Sequence, residues 1–100
     1  MEYLIRHAEL SDLDEIYSIE KACFDERDAF VEQVFHYFLI RPKMEIFLVA
    51  TTNEEILGFI IVQPKSRTHY TIITIDVLPE FDSPQIRVKY SDILSITVYL

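Results

Sequence analysis

Between residues 45 and 77 three β-rich runs follow one another with only short breaks: Glu45–Thr51, Ile56–Gln63 and Thr68–Val77. Ile, Val, Thr and Phe dominate them, and such branched and aromatic side chains suit a pleated, half-buried surface. Thr52-Asn53-Glu54-Glu55 supplies a hairpin turn after the first run. Pro64 ends or demotes the second, because proline donates nothing to a sheet ladder. Breaks this short can join antiparallel neighbours but not parallel ones. The runs therefore predict an antiparallel meander. Several adjacent apolar positions in Thr68–Val77 predict cover on both of its faces.

Upstream, Tyr3–Ala8 alternates weakly and predicts an opening strand. Ser11 can cap a helix whose Leu13, Ile16, Tyr17, Glu20, Cys23 and Phe24 recur at helical spacing, with Asp12, Asp14 and Glu15 near its positive end. Glu20 is the charged position in that apolar stripe. After Asp25-Glu26-Arg27, Asp28 can cap a second helix that puts Phe30, Val31, Val34, Phe35 and Phe38 on one face before Pro42 stops it. The order β-α-α-β-β-β predicts an α/β layer in which two helices cover the sheet. In the tail, Asp82-Ser83-Pro84 signals a turn, Ile86, Tyr90, Ile93 and Leu94 form a partial helical stripe, and Ile96–Leu100 reads as a terminal strand. No repeat or linker divides residues 1–100, which read as one domain.

Half of the residues are apolar, too many for a disordered chain, which leaves apolar surface for a partner. The net charge of −8 is concentrated at the front, where residues 1–30 hold nine acids against three bases. That field repels nucleic acid phosphates and suits an amine or basic peptide, although acids of this kind also serve simply to solvate a helix. A lone cysteine, Cys23, makes no internal disulfide and no zinc pattern, which points to a reducing, cytoplasmic setting. The start Met1-Glu2-Tyr3 lacks the basic and apolar segments of a signal peptide, and no apolar run is long enough for a membrane span. His7, His36 and His69 fall on three different elements at no metal-ligand spacing, so no metal site is expected. Cys23 is expected to pack as a small core residue rather than to act as a nucleophile.

Four segments together resemble the GNAT superfamily of N-acetyltransferases, in particular the branch that acetylates ribosomal proteins and protein N-termini. Ile5-Arg6-His7-Ala8-Glu9-Leu10-Ser11-Asp12-Leu13-Asp14-Glu15-Ile16 is similar to the first strand and helix of that branch. Ile19-Glu20-Lys21-Ala22-Cys23-Phe24 is similar to the end of its first helix. Ile56-Leu57-Gly58-Phe59-Ile60 is similar to its third strand. Ile73-Thr74-Ile75-Asp76-Val77-Leu78-Pro79-Glu80-Phe81 is similar to its fourth strand and the turn beyond. The likeness covers residues 4–81, the N-terminal half of such a domain, and the tail 82–100 departs from it.

The resemblance implies that acetyl-CoA binds through main-chain atoms of Ile75, Asp76 and Val77, where strand N–H groups can polarise a thioester carbonyl. It implies an acceptor groove near Phe24, Asp25, Glu26 and Arg27, with Tyr70 as a further lining residue. A base is required for the amine, and Asp76 and Glu20 are the carboxylates that the pattern puts forward. Burial raises the pKa of such a carboxyl, whereas pairing with Arg6 or Arg27 holds it down. The family's phosphate loop follows a Gln/Arg-x-x-Gly-x-Gly/Ala pattern, in which glycines let backbone N–H groups approach the anion. Here Asp82-Ser83-Pro84-Gln85-Ile86-Arg87 stands in its place, with Gln85 and Arg87 where the glycines belong and Pro84 lacking an N–H. Arg87 and Lys89 remain as side-chain partners for phosphate.

Two functions from different classes follow as expectations. One is an acetyl-CoA-dependent N-acetyltransferase acting on an amine or protein N-terminus, impaired in cofactor binding by a truncated or altered C-terminal part. Drift of the loop and a shifted or truncated reading frame both account for such a tail. The other is a non-catalytic module that forms a homo-oligomer through its exposed sheet, Ile96–Leu100 pairing with a second copy. A basic-peptide binder using the acidic front is a third possibility.

Overall fold

The computed structural model describes residues 3–40, 45–53 and 55–81. The order is strand β1 (Leu4–His7), a 3-10 turn (Leu10–Asp12), helix α1 (Leu13–Cys23), helix α2 (Glu32–Ile40), strands β2 (Ile46–Thr51), β3 (Ile56–Pro64) and β4 (Tyr70–Val77), and a last 3-10 turn (Pro79–Phe81). This is the expected β-α-α-β-β-β order. The expected tail elements and Arg87 lie outside the described residues.

All three strand pairings are antiparallel, and the four strands stand in the order β1-β2-β3-β4. Ile16 and Ile19 of α1 and Phe35 of α2 pack on one face of the sheet against Phe47, Val49, Phe59 and Ile61. Phe59 is the hub of this layer, with ring centroids 5.5 Å from Phe35 and 5.7 Å from Phe47. Burying an aromatic ring of this size contributes about 1.5–3 kcal/mol from area alone. The other face carries Leu48, Ala50, Ile60, Val62 and Val77, which are buried too. β3 is thus buried on both faces from Ile56 to Val62. β4 is more divided than its sequence suggests: Tyr70, Thr71 and Ile72 are exposed, while Thr74, Asp76 and Val77 are buried.

The helix starts differ from the capping pattern read in the sequence. Ser11 sits within the first 3-10 turn, where Asp12 rather than Ser11 takes a backbone donor, accepting the Glu9 N–H at 2.8 Å. Arg6 then clamps the same carboxylate with two hydrogen bonds, Nη1 to Oδ2 at 2.8 Å and Nη2 to Oδ1 at 3.0 Å. This pairing fixes β1 to the entry of α1. Asp28 does not cap α2 either. Asp25 Oδ1 accepts the N–H groups of Arg27 and Asp28 in a turn after α1, and α2 begins only at Glu32. Val31 is consequently exposed instead of sharing the buried face of Phe35.

Gly58 explains how closely β3 and β4 approach at one point. A Cβ at that position would stand 2.4 Å from the carbonyl oxygen of Asp76 and 3.0 Å from the Val77 Cα. Gly58 faces Val77 in the register, and the Leu78 N–H donates to the Leu57 carbonyl at 2.9 Å. That bond makes Gly58 and Val77 a non-hydrogen-bonded pair, the class with the shorter Cα separation.

Candidate functional site

The same alternation decides which main-chain groups of β4 are available. Asp76 faces Phe59 in the next, hydrogen-bonded pair, so its N–H and C=O turn toward β3. Ile75 and Val77 turn theirs toward the outer edge, and no strand among the described residues pairs with that edge. The Val77 carbonyl accepts a hydrogen bond from Cys23 Sγ at 3.4 Å. Of the three residues expected to offer main-chain groups, Ile75 and Val77 therefore point them outward.

A cleft of about 380 Å³ opens there, lined by Ala22, Cys23 and Phe24 at the end of α1 and by Ile75, Asp76, Val77 and Pro79. The last turn of α1 and the last turn of β4 reach the same place because Glu20, one α-helical turn before Phe24, packs against Asp76. Both carboxyls are almost wholly enclosed, each 1 % exposed.

Backbone and hydroxyl donors account for two of the four carboxyl oxygens. Glu20 Oε2 accepts the Phe30 N–H at 2.8 Å, and Asp76 Oδ1 accepts from Thr74 Oγ1 at 2.7 Å. Glu20 Oε1 and Asp76 Oδ2 are buried without another partner, yet the two carboxyls are in hydrogen-bonding contact. Two acceptor oxygens can bond only through a proton held between them, as in any carboxyl pair that cannot ionise twice. Burial, first, and then the hydrogen bond with Glu20 push the Asp76 carboxyl from 3.8 up to about 8, against the opposing effect of the Thr74 hydroxyl.

Arg6, which the sequence offered as a partner for these carboxylates, instead pairs with Asp12, and this is the only ion pair among the described residues. That ion pair holds Asp12 below the usual carboxylate range, chiefly through its hydrogen bonds to Arg6. Arg27 is exposed.

Phe24 borders the cleft, and Asp25 and Glu26 follow it on an exposed turn, so the acidic segment stands beside the opening. Tyr70 is placed elsewhere. It opens β4 opposite Pro64, six residues from Asp76, which is roughly 20 Å along an extended strand. His69 lies in the exposed loop before it, with Nδ1 2.8 Å from Thr68 Oγ1. Among the described residues no three His, Cys, Asp or Glu side chains converge as metal ligands, and no helix is long and apolar enough to cross a membrane.

Sequence reasoning did not single out Cys23 as a donor to Val77, Thr74 as a support for Asp76, or Phe30 as a partner of Glu20. Cys23 and Thr74 sit in apolar and β-branched runs that look like ordinary packing. Phe30 contributes a backbone N–H, which no side-chain pattern reports.

No protein-family model and no curated protein sequence matches this chain. Its fold does match solved structures. The ribosomal-protein-S18-alanine N-acetyltransferase from Escherichia coli superposes with a TM-score of 0.79 at 20% identity, over 97% of this chain and 59% of that one. The PaiA N-acetyltransferase from Thermoplasma acidophilum, crystallised in complex with coenzyme A, gives 0.78 at 15% identity, over 97% of this chain and 74% of that one. The loading GNATL domain of CurA from Lyngbya majuscula gives 0.78 at 16% identity, over 94% and 57%. At these identities the likeness is one of fold. The chain has the fold of the N-terminal half of a GNAT domain, and it spans 57% to 74% of these three relatives in structure.

Proposed function

We propose that the chain is the acyl-handling half of a GNAT-type N-acyltransferase that uses acetyl-CoA and acts on an amine, such as a peptide N-terminus. The observation that carries this reading is the cleft itself, where a buried, proton-sharing carboxyl pair adjoins a strand edge with outward main-chain groups. Those features fit the acyl end of the cofactor. The Ile75 and Val77 N–H groups supply fixed dipoles of the kind that stabilise a developing oxyanion, and Phe24, Ile75, Val77 and Pro79 give the cleft its apolar walls. Bound acetyl-CoA would supply the acyl group as an activated thioester.

The remaining chemistry belongs to the chain. The acidic turn at Asp25 and Glu26 attracts a cationic amine to the opening. Asp76, when ionised, takes the proton that the amine must lose. Because its carboxyl is raised to about 8, it is mostly protonated at neutral pH, and transfer is expected to quicken as pH rises toward that value. We infer weakened cofactor binding from Asp82–Arg87, where neither glycine of the family pattern is present and Pro84 withholds an N–H. The single cysteine suits a reducing, cytoplasmic setting.

Calorimetry with acetyl-CoA, followed by thiol release in the presence of an N-terminal peptide, tests the reading. Binding together with release that increases between pH 6 and pH 8 supports it. A second reading is favoured by the outer edge of β4, where Tyr70 is 41% and Ile72 47% exposed: a homo-oligomerising, non-catalytic module. Absence of any cofactor heat, with a stable dimer by light scattering, would select that module instead.

A further inference from the structure

Glu20 was a candidate base from its place in the α1 stripe, but its geometry suits a different task. One of its carboxyl oxygens holds the Phe30 N–H and the other faces Asp76. Phe30 closes the segment that begins at Phe24 on the cleft wall, and its ring packs edge-on against Phe35 at 6.1 Å. One buried side chain therefore joins the cleft carboxyl to the far end of the loop that borders the cleft.

We infer that Glu20 is a positioning residue that latches the 24–31 segment over Asp76 and releases it when the proton shared by the two carboxyls is lost. While the proton is present, Asp76 donates it to Glu20 Oε1, and Glu20 keeps enough negative charge on Oε2 to hold Phe30. Loss of the proton leaves two enclosed anions in contact. Their repulsion in a low-dielectric site is relieved by moving Glu20 away, and Phe30 goes with it. Opening also solvates Asp76 in the ionised form that can accept a proton. This last consequence rests on the proposed acyl transfer, whereas the latch does not.

The surroundings leave few other groups to produce the effect. β3 places Phe59 opposite Asp76, α2 places Phe35 against Phe59, β4 contributes the Thr74 hydroxyl, and α1 contributes the Cys23 thiol near the cleft. Asp25, Glu26, Arg27 and Asp28 on the loop are exposed, and Lys21 lies over the Tyr17 ring at 4.6 Å. On these packed elements the other groups whose ordinary pKa falls in the titrated range are Cys23 of α1 and His36, which is on the exposed side of α2.

The test is an amide NMR titration of the whole chain from pH 6 to pH 9.5, without cofactor. In the native chain the amides of Phe30 and residues 25–29 are expected to shift together with one inflection. Asp76→Asn, which keeps Cys23, should abolish that inflection. Glu20→Gln keeps an acceptor for Phe30 and should hold the loop amides at their low-pH positions throughout, whereas Glu20→Ala should leave them at the high-pH positions at every pH. A native Phe30 amide that does not move overturns the latch, even if no variant folds. So does an inflection that persists in Asp76→Asn, which would assign it to Cys23 or His36. If the titration appears as expected but no thiol is released from acetyl-CoA, the latch stands and the proposed reaction falls.

Discussion

Replacing Asp76 with Asn exchanges a shared proton for a permanent N–H, and the consequence is a change in how stability varies with pH. Burial and Glu20 raise the native carboxyl from 3.8 to about 8. Between those values the native state keeps a proton that the unfolded chain has released, so native stability falls as pH rises through the window and the contribution is gone above pH 8. The slope limit is ~1.4 kcal/mol per unit, and roughly four units set a ceiling of ~6 kcal/mol. A domain of this size has only about 5–15 kcal/mol in all, and a carboxyl pair that shifts apart relaxes part of the strain. We therefore expect a loss of ~2–3 kcal/mol between pH 5 and pH 8. In the variant the amide nitrogen can donate to Glu20 Oε1 while its oxygen accepts from Thr74, so no proton is bound at the site and the loss disappears. Urea unfolding at each pH, followed by far-UV circular dichroism, gives the midpoints at a common m value. Parallel pH profiles for the two chains, or a native profile that rises relative to the variant, would refute the reasoning.

Gly58→Ala drives a Cβ into the Asp76 carbonyl, 2.4 Å away, and should cost ~1–3 kcal/mol in the same unfolding assay while shifting the Val77 amide resonance. Phe59→Ala removes the ring between Phe35 and Phe47 and should cost ~3–5 kcal/mol, enough to unfold a marginal domain in a thermal scan. Arg6→Ala should cost only ~1 kcal/mol at neutral pH because the guanidinium is 40% exposed. Asp12 is lowered below 3.8, so the stabilisation it gains from Arg6 is present above that value and disappears as pH falls, and acid unfolding of the native and Arg6→Ala chains should converge.

The elements were legible wherever local chemistry and tertiary packing asked for the same thing. The β-branched runs became β2, β3 and β4, and from the expected stripe Ile16 and Glu20 entered the buried face of α1, which also takes in Ile19, a residue outside that stripe. A carboxylate interrupting an apolar pattern was also a usable signal, since it drew attention to Glu20 and to Asp76 separately. Their contact was not readable, because it joins positions 56 residues apart and depends on the register that sets Asp76 opposite Phe59. The start of α2 was hidden for a related reason. Asp28 is a good cap by type, but Asp25 takes the local donors in a turn and Glu20 takes the Phe30 N–H, so no helix forms before Glu32. Gly58 was conspicuous as the only glycine, but the close approach that requires it became visible only once β4 lay beside β3.

On the proposed reading, affinity and chemistry are assigned to different stretches of chain. Every described residue of the cleft lies at or before Pro79, whereas the segment in the place of the phosphate loop begins at Asp82. Contacts to a remote phosphate are equally available before and during acyl transfer, so losing them weakens binding without changing the barrier from the bound state. The proton chemistry of Asp76 and Glu20 depends instead on burial that α1 and β4 provide. A chain with a poor phosphate site and an intact carboxyl pair should therefore bind cofactor weakly yet keep the pH dependence of its transfer step. A drifted cleft would show the converse, with the inflection lost whatever the affinity. The pH profile measured at saturating cofactor, rather than the binding constant, is accordingly the quantity that reports on the site.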